Sequence, residues 1–273
     1  MKIAVALSGY FNTISTNDLS TGARTALRLR DLFKDHDVDY YIHSWDEKFE
    51  PEICDSYKPK KYIIEPQIDF NEVALENGIS QEWFDENFDR KNSPYSRATI
   101  HNSLSFRYSR SQALKLVEEE DYEWVCVMRL DLGHRGPDDV NFPHKFDFGS
   151  DNSKIYSPFW NQLNCGLGDM WTISNTQVAR KMENIYDRAL EYYKPNSPYV
   201  EAMTKGWPLS EKCEFNEYDP RQFSNVCLSN RKTELMTYPR WYAINDHAIW
   251  KYFFIEAGLF EKITFCKYLP GNE

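Results

Sequence analysis

The sequence predicts an α/β protein in which a mostly parallel central sheet is flanked by helices. Two observations carry this prediction. The segment Lys2–Leu7 is a nearly continuous apolar run, which is typical of a parallel strand covered on both faces. Strand-like and helix-like segments then alternate over residues 1–130, as they do in successive βαβ units. The length of 273 residues allows one compact domain with a large core.

The predicted elements of the first half follow from apolar periodicity and from breaker residues. Strands are expected at Lys2–Leu7, Val38–Trp45, Lys61–Glu65 and Tyr122–Arg129. Helices are expected at Thr21–Phe33, Pro51–Tyr57 and Leu104–Glu120. Residues 67–103 are predicted to be an irregular insertion with a short helix near Gln81–Phe88.

The second half is less regular. Strands are predicted at Ile155–Ser157 and Met170–Ser174, with a third within Glu234–Trp241. Helices are predicted at Thr176–Tyr193 and Asp246–Ala257, the second ended by Gly258. Residues 194–231 are rich in Pro, Asn, Ser and charge and are predicted to form a long loop region.

Composition narrows the class of protein. The net charge of −10 disfavours nucleic-acid binding, because phosphates would be repelled over most of the surface. No apolar stretch reaches the roughly 18 residues that a membrane span needs. The six cysteines contain no CxxC pair, which argues against zinc-ribbon chemistry and indicates free thiols in a reducing, cytoplasmic compartment.

Polar residues follow each predicted parallel strand, and in such sheets ligands bind beyond the carboxyl ends of the strands. Ser8 and Gly9 follow the first strand, where glycine lets a backbone approach a ligand closely. Glu65 ends the third strand, and Arg129-Leu130-Asp131 ends the fourth. Neither a GxGxxG nor a GxxxxGK[ST] motif is present, so neither a dinucleotide site nor a P-loop is supported.

The Arg129-Leu130-Asp131 tripeptide allows two interpretations. Asp131 can project into the crevice and hold a divalent cation through oxygen. Alternatively, Arg129 and Asp131 form a salt bridge that closes the strand. The residues alone leave these two about equal, and the position after a strand of an α/β sheet favours function.

Three further segments carry candidate chemistry. Gly166-Leu167-Gly168-Asp169 suggests a tight loop that aims Asp169 as a general base, or a hairpin whose Asp bonds its own backbone. Asn245-Asp246-His247 is expected to cap a helix, and Asp246 or His247 can also contact a metal or diphosphate. Arg107 and Arg110 are expected near the start of a helix, where Arg107 can bind phosphate and Arg110 is more simply a solvated residue.

In this order the segments resemble a group of small GT-A-type glycosyltransferase-like proteins of bacteria and large DNA viruses. The resemblance rests on LSG at the first strand end, DYYIHSWD, KPKKYIIEPQ, FRYSRSQALKLVEEEDYEWVCVMRLDL, GLGDMWTIS and DHAIWKYFFIEAG. It covers most of the chain and is weakest over residues 67–100 and 194–231. It implies a GT-A-like, Rossmann-like single domain, with residues 1–135 as the nucleotide-sugar-binding half and 136–273 as the acceptor half.

The resemblance implies a glycosyltransferase that moves a sugar from a nucleoside diphosphate sugar, with UDP expected, to a hydroxyl of a glycan or other acceptor. A divalent metal, Mn²⁺ or Mg²⁺, would assist diphosphate departure. Arg129 stands where the first acid of the family's Asp-x-Asp motif is expected, which leaves Asp131 as the likelier ligand. The implied roles are as follows: metal contacts from Asp131, His247 and Asp246, catalytic base Asp169, and nucleotide-sugar contacts from Ser8, Gly9, Tyr10, Glu65, Arg107 and Arg129.

Two other classes stay open. One is a nucleotide- or carbohydrate-binding protein that keeps the fold without turnover. Arg129, in place of the first acid of the motif, supports this alternative. The other is a different transferase on a similar sheet, but the turn after the first strand lacks both the glycine-rich pattern of a methyltransferase and the phosphate loop of a sulfotransferase. If the protein is viral, its compartment would be the host cytoplasm.

Overall fold

The computed structural model describes residues 1–12, 20–87, 99–118, 122–134, 146–158, 167–205 and 246–266. Within these residues, seven strands form one sheet: β1 (Lys2–Gly9), β2 (Asp37–Ser44), β3 (Lys61–Ile64), β4 (Trp124–Arg129), β5 (Ile155–Pro158), β6 (Trp171–Ser174) and β7 (Ile263–Cys266). Their order across the sheet is β3-β2-β1-β4-β6-β5-β7.

The sheet is mixed but mostly parallel. β1 pairs in parallel with both β2 and β4, and β2 pairs in parallel with β3. β6 is antiparallel to its neighbours β4 and β5, and β5 is parallel to β7. Every described strand except β6 therefore runs in one direction. This confirms the predicted α/β class and the predicted first four strands.

Helices cover both faces of the sheet. They are α1 (Thr21–Leu32), α2 (Glu50–Tyr57), α3 (Phe70–Glu76), α4 (Gln81–Asn87), α5 (Ile100–Lys115), α6 (Thr176–Met182), α7 (Ile185–Tyr192), α8 (Pro198–Lys205) and α9 (Asp246–Glu256). Short 3₁₀ helices lie at Glu47–Phe49, Leu132–His134 and Phe260–Lys262.

Alternation along β1 divides the core into two layers. Ala4 and Ala6 pack with α5, α6, α7 and α9, whereas Ile3, Val5 and Leu7 pack with α1 and α2 on the opposite face. All five of these side chains are fully buried. The apolar run of β1 is thus explained by burial on both faces, as the sequence predicts for a central parallel strand.

Several predicted elements differ from the structure in their extent. α5 begins at Ile100 rather than Leu104, because the Thr99 side chain caps it by accepting from the Asn102 amide. The insertion is more ordered than expected, since α3 lies within it behind the Asp69 cap. The helix predicted over Thr176–Tyr193 is two helices, α6 and α7, separated at residues 183–184.

Two α-helices, α3 and α8, and the strand β7 lie within the described residues but were not predicted from the sequence. β7 is a four-residue strand, ITFC, too short for its period to show, and it extends the sheet beside β5. The strand expected within Glu234–Trp241 lies outside the described residues. None of the helices in the described ranges has the length and apolar character required to cross a bilayer.

Candidate functional site

The carboxyl ends of β1 to β5 lie along one edge of the sheet, because these strands run in the same direction. β6 runs the opposite way and pairs Trp171 with Met128 near the end of β4. The residues just before β6 therefore reach the same edge. The sequence-predicted residues Ser8, Glu65, Arg129 and Asp169 are brought together along this edge, which is where ligands bind in open α/β sheets.

The first strand ends in a turn that requires glycine. Gly9 has a φ of 105°, a left-handed conformation that other residues adopt only with strain. Its amide donates a 2.8 Å hydrogen bond to the Ser109 hydroxyl of α5. Ser8 is buried, and its hydroxyl lies 3.5 Å from the Met128 carbonyl oxygen. Of these two predicted ligand contacts, Ser8 is thus engaged with the sheet and Gly9 shapes the turn.

Tyr10 follows this turn and is 38% exposed. Its hydroxyl hydrogen-bonds the Gln67 side chain, whose amide nitrogen donates 2.8 Å to the Ser105 hydroxyl. Partial burial, followed by the nearby Asp46 carboxylate, raises the pKa of Tyr10. An aromatic ring that stays open to solvent while its hydroxyl is anchored is suited to stacking on a flat ligand such as a base.

Glu65 is held by a chain of hydrogen bonds that reaches back to the first turn. His43 Nε2 lies 3.0 Å from Glu65 Oε1, and His43 Nδ1 lies 2.8 Å from Ser109 Oγ. Burial, which outweighs the contact with Glu65, lowers the pKa of His43. The ring is therefore neutral, and its Nε2–H donates to the carboxylate while Nδ1 accepts from Ser109. This chain ties the ends of β1, β2 and β3 to α5.

Sequence reasoning missed His43 and Ser109. A signal was available: His43 lies within the apolar strand VDYYIHSW, where a fully buried imidazole needs polar partners on both nitrogens. The pairing of His43 with Ser109 across 66 residues depends on tertiary packing.

Arg129 and Asp131 form a two-pronged ion pair at the end of β4. Arg129 Nε donates 2.8 Å to Asp131 Oδ1, and Nη2 donates 2.7 Å to Oδ2. The Arg129 side chain is 28% exposed and that of Asp131 is 7% exposed. Of the two interpretations of this tripeptide, the salt bridge is the one present, and its cationic member faces solvent more than its anionic member.

The loop that carries Asp131 is fixed against α1. The Thr25 hydroxyl donates 2.8 Å to the Leu130 carbonyl and accepts 2.6 Å from the Gly133 amide. A Cβ built on Gly133 would lie 2.4 Å from the Thr21 carbonyl oxygen and 2.4 Å from the Thr25 nitrogen. Only glycine permits so close an approach of loop and helix, so this contact sets the position of Asp131.

Asp169 reaches the edge from the loop before β6. Its backbone carbonyl accepts a hydrogen bond from the Arg110 guanidinium, and its side chain is 6% exposed. Burial raises the pKa of Asp169, but attraction by His247, Arg129 and Arg110 outweighs burial and lowers the pKa overall. Asp169 is therefore ionised at neutral pH. The preceding residues 159–166 lie outside the described part of the chain.

His247 lies in the first turn of α9, next to Asp169. Its Nδ1 is 2.8 Å from the Leu167 carbonyl oxygen and 3.6 Å from Asp169 Oδ1. Because a carbonyl only accepts, Nδ1 carries the hydrogen, and in the neutral ring Nε2 is then the lone-pair nitrogen. The His247 carbonyl also accepts 3.0 Å from the Leu167 amide, which docks the helix on this loop. The side chain of Asp246 lies outside the part of the chain that the structure describes.

Two arginines of α5 behave differently from expectation. Arg110, expected to be solvated, is fully buried, with its Cζ 4.5 Å from the Phe106 ring centroid and 4.8 Å from that of Trp250. Arg107, expected to bind phosphate near a helix start, lies in the second turn because α5 begins earlier. It is 2% exposed and donates 2.6 Å to the Ser103 carbonyl.

The metal predicted at Asp131, His247 and Asp246 stays a prediction, and the described geometry fits it poorly. Both oxygens of Asp131 accept from Arg129, so a cation there would lie beside a guanidinium and be repelled by its charge. Within the described ranges, no three His, Cys, Asp or Glu side chains form a group that could hold a metal ion. The hydrogen bond from His247 to a backbone carbonyl is nevertheless one that metal-ligating histidines commonly make.

No protein-family model, no curated protein and no solved structure matches this chain. The fold and its strand ends therefore define the class: an α/β protein with a mostly parallel sheet, compatible with a Rossmann-like arrangement, and polar residues collected at the carboxyl edge of that sheet.

Proposed function

We propose that this chain is a GT-A-like glycosyltransferase that moves a sugar from a nucleoside diphosphate sugar to a hydroxyl of a glycan or other acceptor. The observation that carries the proposal is the collection of Tyr10, Glu65, Arg129 and Asp169 at one edge of the sheet. They offer, respectively, a stacking ring, a carboxylate that can accept from hydroxyls, a cation for phosphate and an ionised base. UDP is the expected nucleotide, from the resemblance of the sequence.

In an inverting transfer, the acceptor hydroxyl attacks the anomeric carbon as the bond from that carbon to the diphosphate oxygen breaks. The bonding electron pair leaves with the diphosphate, and Asp169 takes the hydroxyl proton. Its lowered pKa keeps Asp169 ionised and ready to accept. A weak base of this kind takes the proton late, when attack has already made the hydroxyl acidic. A retaining transfer would use the same donor site with a different geometry at this carbon.

A test of this function measures both donor binding and the release of nucleoside diphosphate for a panel of UDP- and GDP-sugars, with water as acceptor, in Mn²⁺, in Mg²⁺ and in EDTA. We expect release from at least one donor, and a loss of about 100-fold or more in Asp169→Asn. The matched control is Asp187→Asn, which alters an exposed aspartate of α7 and should release product at the unaltered rate. Failure of every donor to bind in all three conditions would overturn the proposal.

The second candidate is a nucleotide- or carbohydrate-binding protein with the same fold and no turnover. The observation that favours it is the occupation of both Asp131 oxygens by Arg129, at the place where the resemblance implies a metal-binding carboxylate. Donor binding without release of nucleoside diphosphate, in the panel above, would support this candidate over the enzyme.

For the compartment, the cytoplasm remains our proposal. It is supported by the cysteines that the structure describes, since Cys54, Cys126 and Cys266 are free thiols, as expected in a reducing environment.

A further inference from the structure

The ion pair at the end of β4 turns its positive side outward. Arg129 uses Nε and Nη2 to hold Asp131, and this fork engages two of the five N–H groups of a guanidinium. Since Arg129 is 28% exposed and Asp131 only 7%, a ligand approaching this edge meets the guanidinium first.

Arg129 is also oriented from a second side. Its Cζ lies 5.7 Å from the Phe106 ring centroid, and the Cζ of Arg110 lies 4.5 Å from the same centroid. The two guanidinium groups therefore flank one aromatic ring. Arg110 is buried, so it fixes the ring and the Asp169 backbone, whereas Arg129 presents its charge to solvent.

This arrangement opposes a cation more than it attracts one. The carboxylates of Asp131 and Asp169 are nearly buried, and each lies beside a guanidinium. A divalent metal at Asp131 would lie beside the guanidinium that both carboxylate oxygens already accept from, and would be repelled by its charge. An anion would instead be attracted by the exposed part of Arg129, whose orientation the carboxylate fixes, and a guanidinium is suited to bind phosphate oxygens in pairs.

We propose that Arg129, held in place by Asp131 and Phe106, binds the diphosphate of the donor directly, in the place where the resemblance implies a divalent metal. This inference rests on the proposed function and makes it more specific, because the leaving diphosphate is stabilised by a guanidinium and the reaction proceeds without a metal. As the bond to the anomeric carbon breaks, the charge that develops on the diphosphate oxygen is met by N–H donors whose position Asp131 has already set.

The test uses two probes, inorganic pyrophosphate and UDP, titrated calorimetrically into the full chain in EDTA and again in Mn²⁺. We expect UDP to bind in EDTA within about threefold of its affinity in Mn²⁺, and Arg129→Gln to weaken both probes about tenfold or more. Arg129→Lys keeps the charge without the planar fork, so its affinity for each probe should lie between those of the unaltered chain and Arg129→Gln. The matched control is Arg188→Gln. Arg188 is an exposed arginine of α7 that pairs with Glu256, and its replacement should change neither affinity. The melting temperature of each variant establishes that it is folded.

Three results would overturn the inference: binding of the probes only when Mn²⁺ is present, unaltered affinity in folded Arg129→Gln, or no binding of either probe in any condition. The proposed function fails separately. If pyrophosphate binds through Arg129 in EDTA while UDP and GDP bind no more tightly than pyrophosphate, the anion site stands and the nucleotide-sugar function does not. If sugar donors are turned over only with Mn²⁺, the function stands and the inference fails.

Discussion

Arg129 and Asp131 are joined by two hydrogen bonds of 2.8 and 2.7 Å across a single intervening residue. The fork binds the end of β4 to the loop that follows it. It also explains why an apolar strand runs directly into two opposite charges, since each charge satisfies the other where the strand reaches the sheet edge.

The first prediction concerns the strength of this pair. Arg129→Gln and Asp131→Asn should each lower the free energy of unfolding by about 1–3 kcal/mol, because each leaves a partly buried charge without its fork. The double variant should lose less than the sum, with a coupling of about 1–2 kcal/mol. Urea unfolding of the four chains measures this cycle. Additivity within about 0.5 kcal/mol would show that the pair does not stabilise the fold.

The second prediction concerns Thr25, whose hydroxyl bridges the Leu130 carbonyl and the Gly133 amide. Thr25→Val keeps the shape of the side chain but leaves both buried backbone groups without this partner, and should lower the free energy of unfolding by about 1–3 kcal/mol. Thr25→Ser keeps the hydroxyl and should lose clearly less. Equal losses in the two variants would assign the effect to packing instead of hydrogen bonding.

The third prediction concerns the close approach at Gly133. Gly133→Ala should destabilise by about 1–3 kcal/mol, because the added methyl would lie 2.4 Å from backbone atoms of α1 and must push the loop away. Gly258→Ala is the comparison: it strains a φ of 65° but meets nothing within 4 Å, and should lose about 1 kcal/mol. In Gly133→Ala alone, we also expect weaker binding of pyrophosphate, since the loop carries Asp131. Unchanged binding in that variant would separate the loop from the anion site.

The fourth prediction is a pH dependence set by His43. Because its pKa is lowered in the folded chain, the unfolded chain binds more protons between that lowered value and the ordinary value of 6.5. The stability that neutral His43 contributes is fully present above about pH 6.5 and is lost as the pH falls through the pKa of His43 in the folded chain. Urea unfolding between about pH 7.5 and 5 measures this slope.

His43→Asn should flatten that slope, whereas His36→Asn, in the turn before β2, should leave it as in the unaltered chain. The same slope in His43→Asn and in the unaltered chain would assign the pH dependence to other groups.

Sequence patterns were sufficient for the sheet because its central strands are buried on both faces. The runs at β1 and β4 are apolar almost throughout, and the polar residues that follow them mark the sheet edge. The loop with Asp169 was predicted ahead of a strand, and the short strand WTIS begins two residues after it, but the position of Asp169 at this edge was not predicted. Periodicity carries less information in short elements, which is why the four-residue β7 went unpredicted.

The interactions within the site were harder to predict. The Arg129–Asp131 salt bridge was one of two interpretations that the residues left open, and nothing in the sequence showed that Arg110 would be buried beneath two aromatic rings. The position of Arg107 was predicted wrongly because Thr99 starts α5 four residues earlier than the apolar pattern indicated. Such contacts depend on which helix faces meet across the sheet, and spacing along the chain does not determine that.

We propose above all that the carboxyl edge of the sheet binds a nucleoside diphosphate. Hydrogen–deuterium exchange with and without saturating UDP, in EDTA, tests it most directly. We expect UDP to slow amide exchange in three segments together, residues 8–12, 65–67 and 129–133, with no change in α7 (Ile185–Tyr192). Unchanged exchange in these three segments, or protection confined to another part of the chain, would contradict it.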